Sequence, residues 1–298
     1  MNNKPTVREQ QELFKVPAKK GKIVNVASVP MRSPFRYAGG KTWLVPRIRQ
    51  WLRSRGGPNI ELIEPFAGGG IVSLTAAFEE LVGKVTMVEL DKDVAAVWHM
   101  IINGDAEWLA NRIMTFNLTE ENAHKAIDQA NKSLRDRAFA TIVKNRVNRG
   151  GILADGARFI KYGEGGKGIR SRWYAETLKR RILEIAFVSH RIQFIEADGF
   201  VVCEKNADRE DVVYFIDPPY TEAGRRLYRH SDIDHEYLFD LAACLHGDFL
   251  MTYDNAEEVR QMAQSRGFDM RTVAMKNTHH AKMTELLIGR DLSWVEGK

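Results

Sequence analysis

The chain reads as an α/β protein: an open, largely parallel sheet flanked by helices and interrupted by a mainly helical insertion. Three observations lead there. Short β-branched and aromatic runs alternate with helical patterns toward both ends of the sequence. A glycine-rich turn, Gly68-Gly69-Gly70, joins the first of these runs to a helical pattern. From Gly104 to about His190 the strand alternation stops. At 298 residues, 44% hydrophobic and 28% charged, the sequence suffices for one full α/β core and an insertion.

In chain order, residues 1–34 are polar and aperiodic and are expected to form a mobile arm, with at most a short strand at Ile23–Val26. Lys41–Arg53 carries a helical pattern, Glu61–Ile63 a strand, Ile71–Leu81 a helix and Lys84–Val88 a second strand, which together make a βαβ unit. Asp93–Asn103 continues as a helix. Helical patterns then fill Ala106–Phe116 and Glu120–Asn145, a glycine-rich basic stretch runs through Gly150–Gly168, and Tyr174–Ser189 is again helical. Strands resume at Ile192–Glu196, Val212–Ile216, Phe249–Tyr253, Met270–Met275 and Glu285–Ile288, with helices at His235–Leu245 and Glu257–Ser265. The expected division is therefore an arm at 1–34, a main domain at 35–103 and 190–298, and an inserted domain at 104–189.

The net charge of +5 is unevenly spread. Lys144–Arg181 holds eleven Lys or Arg against three acids, and Met1–Arg49 eleven against two, so the remainder is acidic. Basicity confined to two regions suits a protein that presents one face to a polyanion. Solvated helix faces account for Lys179-Arg180-Arg181 and the N-terminal lysines. Between Lys144 and Arg172, though, Arg146, Arg149, Arg158, Lys161, Lys167, Arg170 and Arg172 are interleaved with Asn145, Asn148, Tyr162, Trp173 and glycines, which favours nucleic acid. The two cysteines, Cys203 and Cys244, form no metal-ligand cluster and are expected to be inert buried thiols. No apolar stretch approaches the roughly 20 residues a bilayer span needs, so a cytoplasmic protein without membrane contact is expected.

Asp217-Pro218-Pro219-Tyr220 follows directly on Val212–Ile216. Two prolines stop that strand, and open α/β sheets bind ligands just beyond such ends. Neither proline has an N–H, so the tetrapeptide offers a carboxylate, carbonyl oxygens and an aromatic face. That set suits an exocyclic amino group on a flat heterocycle, whose two N–H bonds need acceptors and whose ring needs a stacking wall. A plain Asp-Pro turn would explain the tetrapeptide taken alone; its company argues for chemistry. Glu64-Pro65-Phe66-Ala67-Gly68-Gly69-Gly70 opens a helix after the first strand, and Glu89 lies about twenty residues past Gly68, the spacing at which an acid takes ribose hydroxyls. An adenosine-type cofactor is implied, while Ser73 stands where a dinucleotide fingerprint would place its third glycine. Tyr37-Ala38-Gly39-Gly40-Lys41-Thr42 ends like a P-loop, but Phe35 falls where the first glycine of that spacing belongs. Its lysine still suggests an anion partner at a helix start.

Taken in order, Tyr37-Ala-Gly-Gly-Lys41, Glu64-Pro-Phe-Ala-Gly68-Gly-Gly70, Glu89, Asp198-Gly-Phe200, Asp217-Pro-Pro-Tyr220 and Lys282-Met-Thr-Glu285-Leu-Leu resemble the motifs of the Dam-like (D12, alpha-group) DNA adenine-N6 methyltransferases. The resemblance runs from about Phe35 to about Gly289. It implies a Rossmann-like methyltransferase sheet, S-adenosylmethionine as methyl donor, no metal, double-stranded DNA as partner, and a bacterial or phage origin in which a cognate restriction endonuclease has a place. It further implies that Tyr37 and Lys41 hold the methionine end of the cofactor and that Glu64, Phe66, Gly68 and Gly70 form the cofactor loop. Glu89 would take the ribose, Asp198 and Phe200 the cofactor's adenine. Asp217, Pro218, Pro219 and Tyr220 would hold the target base, with Asp217 also bordering the cofactor. The 104–189 insertion corresponds to a target-recognition domain, with Arg146, Arg149, Arg158, Lys161, Arg170 and Arg172 toward DNA. Asp rather than Ser before Pro-Pro-Tyr favours adenine over cytosine N4. Members specific for GATC usually carry Asn-Gly after an Asn-Arg pair, whereas Asn145-Arg146 is followed by Val147-Asn148-Arg149-Gly150-Gly151, so the resemblance does not extend to GATC as target; the target sequence and the oligomeric state are not given by the sequence. An RNA substrate, or a binding module that kept the fold without turnover, are the rival readings.

Overall fold

The computed structural model describes residues 29–37, 39–154, 156–220, 233–276 and 282–296; the expected strand at Ile23–Val26 lies outside them. Among the described residues seven strands make one sheet: β1 (Gly57–Glu64), β2 (Val82–Glu89), β3 (Ile192–Glu196), β4 (Val212–Ile216), β5 (Asp248–Asp254), β6 (Asp269–Lys276) and β7 (Lys282–Gly289). Their order across the sheet is β3-β2-β1-β4-β5-β7-β6. Neighbours among β1 to β5 pair in parallel, while β7 inserts between β5 and β6 and runs antiparallel to both. The chain winds outward from β1 through β2 to β3, then returns to lay β4 on the other side of β1. That reversal opens a crevice beyond the carboxyl ends of β1 and β4. The Rossmann-like sheet expected from the sequence is present.

The helices are α1 (Val45–Arg55), α2 (Ile71–Phe78), α3 (Lys92–Trp98), α4 (Ala106–Thr115), α5 (Glu120–Asp128), α6 (Leu134–Val147), α7 (Ala175–Phe187), α8 (Gly199–Lys205), α9 (His235–Cys244) and α10 (Glu257–Ser265). Strand periodicity divides the core in two. In β4, Val213 and Phe215 face a cluster shared with α1 to α4, α6 and α7, whereas Val212, Tyr214 and Ile216 face a second cluster with α8, α9 and α10. All five residues of β4 are buried, as a central strand covered on both faces requires.

Several boundaries differ from the expectation for local reasons. The single helix expected at Glu120–Asn145 is two, because Ser133 accepts the Asp136 N–H at 3.1 Å and starts α6 afresh. The helix expected over Asp93–Asn103 begins at Lys92, where Asp91 accepts the N–H groups of Asp93 and Val94, and loosens into a π turn over His99–Asn103. At Lys41 the chain makes a 3-10 turn, Thr42–Leu44, before α1 begins. Helix α8 was not expected at all; it starts where Asp198 accepts the Phe200 N–H at 2.9 Å.

Residues 104–189 are helical, as expected, but their apolar side chains have no core of their own. Leu109, Ile113, Ile142, Val143, Ile182 and Ile185 belong to the cluster that also contains Val94, Trp98, Met87 and Phe215. The segment is thus an outgrowth of one helical layer. Ile182→Ala, at a fully buried position, is expected to cost about 2–5 kcal/mol and to lower a single thermal transition seen alike by circular dichroism and tryptophan fluorescence. Two separated transitions would instead mean that the segment folds as its own unit.

Candidate active site

Carboxyl groups crowd the carboxyl ends of the parallel strands, and one buried cation meets them. Lys41, 3% exposed, places its Nζ 2.9 Å from Asp217 Oδ1 and 3.9 Å from Glu285 Oε2, and donates to the Gly39 carbonyl at 2.8 Å. Thr252 Oγ1 donates to the same Asp217 oxygen at 2.7 Å. Asp217 leaves β4, Thr252 lies in β5 and Glu285 in β7, so the group needs the antiparallel return beside β5. Tyr220 donates its hydroxyl to Glu285 Oε2 at 3.1 Å, its ring stacks on Tyr253 with centroids 5.8 Å apart, and the Lys41 ammonium lies 5.0 Å from its ring centroid. Burial, helped by Asp217 and Glu285, pushes the Tyr220 phenol well above its ordinary 10, which keeps it a donor. Burial likewise lifts Glu285 to about 7, against the pull of Lys41 and with a further push from Asp217.

A second group surrounds the glycine turn after β1. Gly68 and Gly70 adopt φ of +47° and +63°, left-handed values that cost a side chain dearly. The turn is bare for a further reason: a Cβ on Gly68 would lie 2.6 Å from the Tyr37 ring, and one on Gly70 2.6 Å from Met87 Cε. Trp98 Nε1 donates to the Gly68 carbonyl at 2.9 Å and fixes the turn from below. Glu89 ends β2 with its carboxyl accepting the N–H groups of Gly68 and Asp91 at 2.9 and 2.8 Å. Beside the turn, Phe66 meets Phe200 edge-on at 5.9 Å, and Phe200 stacks on Tyr237 at 5.7 Å. Glu64 does not line this surface. It is buried beneath it, accepting the Ser73 N–H at 2.9 Å, and burial, with Asp217 and Glu89 adding repulsion, lifts it to about 8. Burial is also the largest cause of the rise of Glu89 to about 7.

The sequence thus brings Tyr37, Phe66, Gly68, Gly70, Glu89, Asp198 and Phe200 to one side of the crevice and Lys41 with Asp217 to Tyr220 to the other. The ammonium of Lys41 sits with Asp217 rather than at the glycine turn. Thr252, Tyr253, Trp98 and the part played by Glu285 were missed; a Thr-Tyr pair near the carboxyl end of a parallel strand, matching Asp217 on the next, was the available signal. In the basic segment Arg149, Arg158, Lys161 and Arg170 are exposed and Arg172 is half-buried, with Arg170 Nε also donating to the Leu118 carbonyl at 2.8 Å. Arg146 is a correction: it is 4% exposed and donates to the Pro34 carbonyl, so it faces the protein. Burial, then Arg181, Arg36 and Arg172, push its guanidinium down to about 9. Cys203 is a buried free thiol as expected, whereas Cys244, at the end of α9, is an exposed one and corrects the expectation. Among the described residues no group of three or more His, Cys, Asp or Glu is placed to hold a metal ion, and no helix is long and apolar enough to cross a membrane.

Similarity to known proteins falls on this same stretch. The family model for the D12 class N6 adenine-specific DNA methyltransferase matches residues 37–279. A curated protein, the DNA N-6-adenine-methyltransferase of Escherichia phage P1, is 28% identical over 255 residues, or 80% of this chain and 32% of that protein. The chain therefore spans about a third of the length of that relative. Solved structures with a similar arrangement include precorrin-6y C5,15-methyltransferase from Geobacter metallireducens, at a TM-score of 0.38 and 12% identity, covering 86% of this chain and 92% of the other. An rRNA methyltransferase from Streptomyces viridochromogenes gives 0.36 and 12%, covering 86% and 87%. Overlaps of that size carry no argument.

The raised carboxyls make stability depend on pH in a definite direction. A folded-state Glu64 at about 8, against an ordinary 4.5, binds a proton that the unfolded chain has already released. Folding is therefore weakened as pH rises between those values. Glu64→Gln keeps an acceptor for the Ser73 N–H without the charge. Its melting temperature is expected to fall less than that of the wild type between pH 6 and pH 8.5 in parallel thermal melts; equal falls would mean that Glu64 is ionised throughout.

Proposed function

The chain belongs to the D12 class N6 adenine-specific DNA methyltransferase family, and from that premise we propose that it transfers a methyl group from S-adenosylmethionine to the N6 amino group of an adenine turned out of duplex DNA. The observation that carries this reading is the Asp217–Tyr220 segment at the mouth of the crevice, where Lys41 and Thr252 hold the Asp217 carboxylate and Glu285 holds the Tyr220 hydroxyl, with the Pro218 carbonyl between them in sequence. The glycine side of the crevice suits the donor. Its turn is stripped of side chains under Tyr37, and the Phe66, Phe200 and Tyr237 rings beside it offer a wall for a purine. Glu89 supports the turn from within and stands at a strand end, where a ribose would be met.

When bound, S-adenosylmethionine supplies an electrophilic methyl on a sulfonium whose leaving group is a neutral thioether. The chain's own residues do the rest. The N6 lone pair of adenine is delocalised into the ring and is a poor nucleophile. Asp217 and the Pro218 carbonyl accept its two N–H bonds, which favours a tetrahedral nitrogen and aims the lone pair along the line of attack. The new C–N bond leaves a positive nitrogen, and Asp217 is the acceptor in place for its proton. A base that stacks on Tyr220 takes up space that the Lys41 ammonium now holds over the ring. Turning the base out costs a few kcal/mol, offset by that stacking and by phosphate contacts from Arg149, Arg158, Lys161 and Arg170.

The test is single-turnover transfer of a tritiated methyl group to duplex DNA, with N6-methyladenine identified in the hydrolysate. Asp217→Ala is expected to abolish transfer while the folded protein still binds DNA. Tyr220→Ala loses a stacking face worth roughly 1–3 kcal/mol and keeps some activity. Tyr220→Phe keeps the ring and most of the rate, at a stability cost of about 1 kcal/mol from the lost bond to Glu285. Wild-type transfer to no DNA, or Asp217→Ala transferring at the wild-type rate, would overturn this reading; cofactor and DNA binding without any transfer would favour a binding module.

A further inference from the structure

The segment that leads into Tyr37, which bends at Pro34 and Phe35, is fastened by three side chains from the helical segment. Asn145, fully buried in α6, accepts the Arg36 N–H through Oδ1 at 2.8 Å and donates through Nδ2 to the Arg36 carbonyl at 3.0 Å. It engages both backbone groups of one residue, as a neighbouring strand would, and its Nδ2 also reaches the Gly151 carbonyl at 2.8 Å. Arg146, the next residue, donates to the Pro34 carbonyl, and Arg181 in α7 donates to the Ser33 carbonyl at 3.1 Å. Gly151 completes the seat: its φ is +77°, and a Cβ there would lie 2.5 Å from the Arg36 carbonyl oxygen.

What this seat holds is the run-in to both halves of the crevice. Tyr37 follows Arg36 directly and packs on Gly68 and Gly69, and Lys41 is four residues beyond it on Asp217. We propose that Asn145, supported by Arg146 and Arg181, is a positioning residue that sets Tyr37 and Lys41 for cofactor binding and methyl transfer, so that the Asn-Arg pair at the head of the basic segment serves the cofactor side and not the DNA. The chemistry selects this residue type. Only a side-chain amide offers one acceptor and two donors in a plane: Asp would turn an acceptor oxygen toward the Arg36 and Gly151 carbonyls, and Ala would lose all three bonds. Each loss leaves a buried backbone group without its partner.

The proposal rests on the cofactor reading above, and its test has one arm that does not. Hydrogen exchange read by mass spectrometry in the cofactor-free protein should show peptides within residues 33–44 protected in the wild type and deprotected in Asn145→Ala. Unchanged exchange in a folded Asn145→Ala overturns the proposal whatever the cofactor does. The second arm is calorimetric titration with S-adenosylmethionine beside anisotropy titration with a duplex. Asn145→Ala is expected to bind the cofactor at least about tenfold more weakly and the duplex with wild-type affinity and salt dependence. Gly151→Ala, which pushes on the Arg36 carbonyl from the other side, should show the same split. Wild-type cofactor affinity in Asn145→Ala, or equal losses for cofactor and duplex, would overturn it. A wild-type protein that binds no S-adenosylmethionine sinks the functional reading instead, and leaves the exchange arm to decide whether Asn145 holds the segment.

Discussion

The ion pair between Lys41 and Asp217 is the contact on which the crevice depends. Parallel strands that end together bring their following residues together, and here those residues are acids: Glu64 after β1's apolar run, Glu89 at the end of β2, Asp217 after β4. Glu285 joins them from β7. Crowded carboxyls in a poorly solvated place cannot all be charged. The protein resolves this by keeping Glu64, Glu89 and Glu285 easy to protonate and by giving Asp217 an ammonium at 2.9 Å. The dependence is mutual, since a lysine buried to this degree would be expelled without its carboxylate. The pair also bridges distant parts of the chain, joining the stretch before β1 to the residue that follows β4.

How much of this was legible in the sequence follows from which interactions are local. β3, β4 and α10 begin and end where their patterns predict, because a short β-branched run or a helical repeat is a local signal. The motif residues of the glycine turn were legible for the same reason: only glycine accepts the φ at 68 and 70. Failures were long-range or chemical. Glu285 belongs to the site only because β7 returns antiparallel beside β5, and a pairing partner cannot be read from one strand. The break before α6 depends on one serine hydroxyl. Arg146 was assigned by charge, and charge does not tell whether a guanidinium points outward or finds a backbone carbonyl inward.

Two kinds of basic residue therefore coexist in the stretch between Lys144 and Arg181. Arg149, Arg158, Lys161 and Arg170 reach solvent on a glycine-rich path, while Arg146 and Arg181 spend their donors on the carbonyls of Pro34 and Ser33. On the proposed function the first set meets phosphate and the second holds the machinery. A composition count merges the two, which is why the stretch looked more uniformly directed at DNA than it is.

The shared core bears on how such proteins can diversify. A recognition region with its own core could be exchanged between relatives as a cassette, each module keeping its own packing. Here Leu109, Ile142 and Ile182 pack in the cluster that includes Trp98 and Val94, one layer from the sheet. A graft cut at residues 104 and 189 would sever that packing on both sides. On the proposed function, new specificity is more easily acquired at the exposed positions beyond Gly151, such as Arg158, Lys161 and Lys167, where surface side chains can change without disturbing the helices that anchor them.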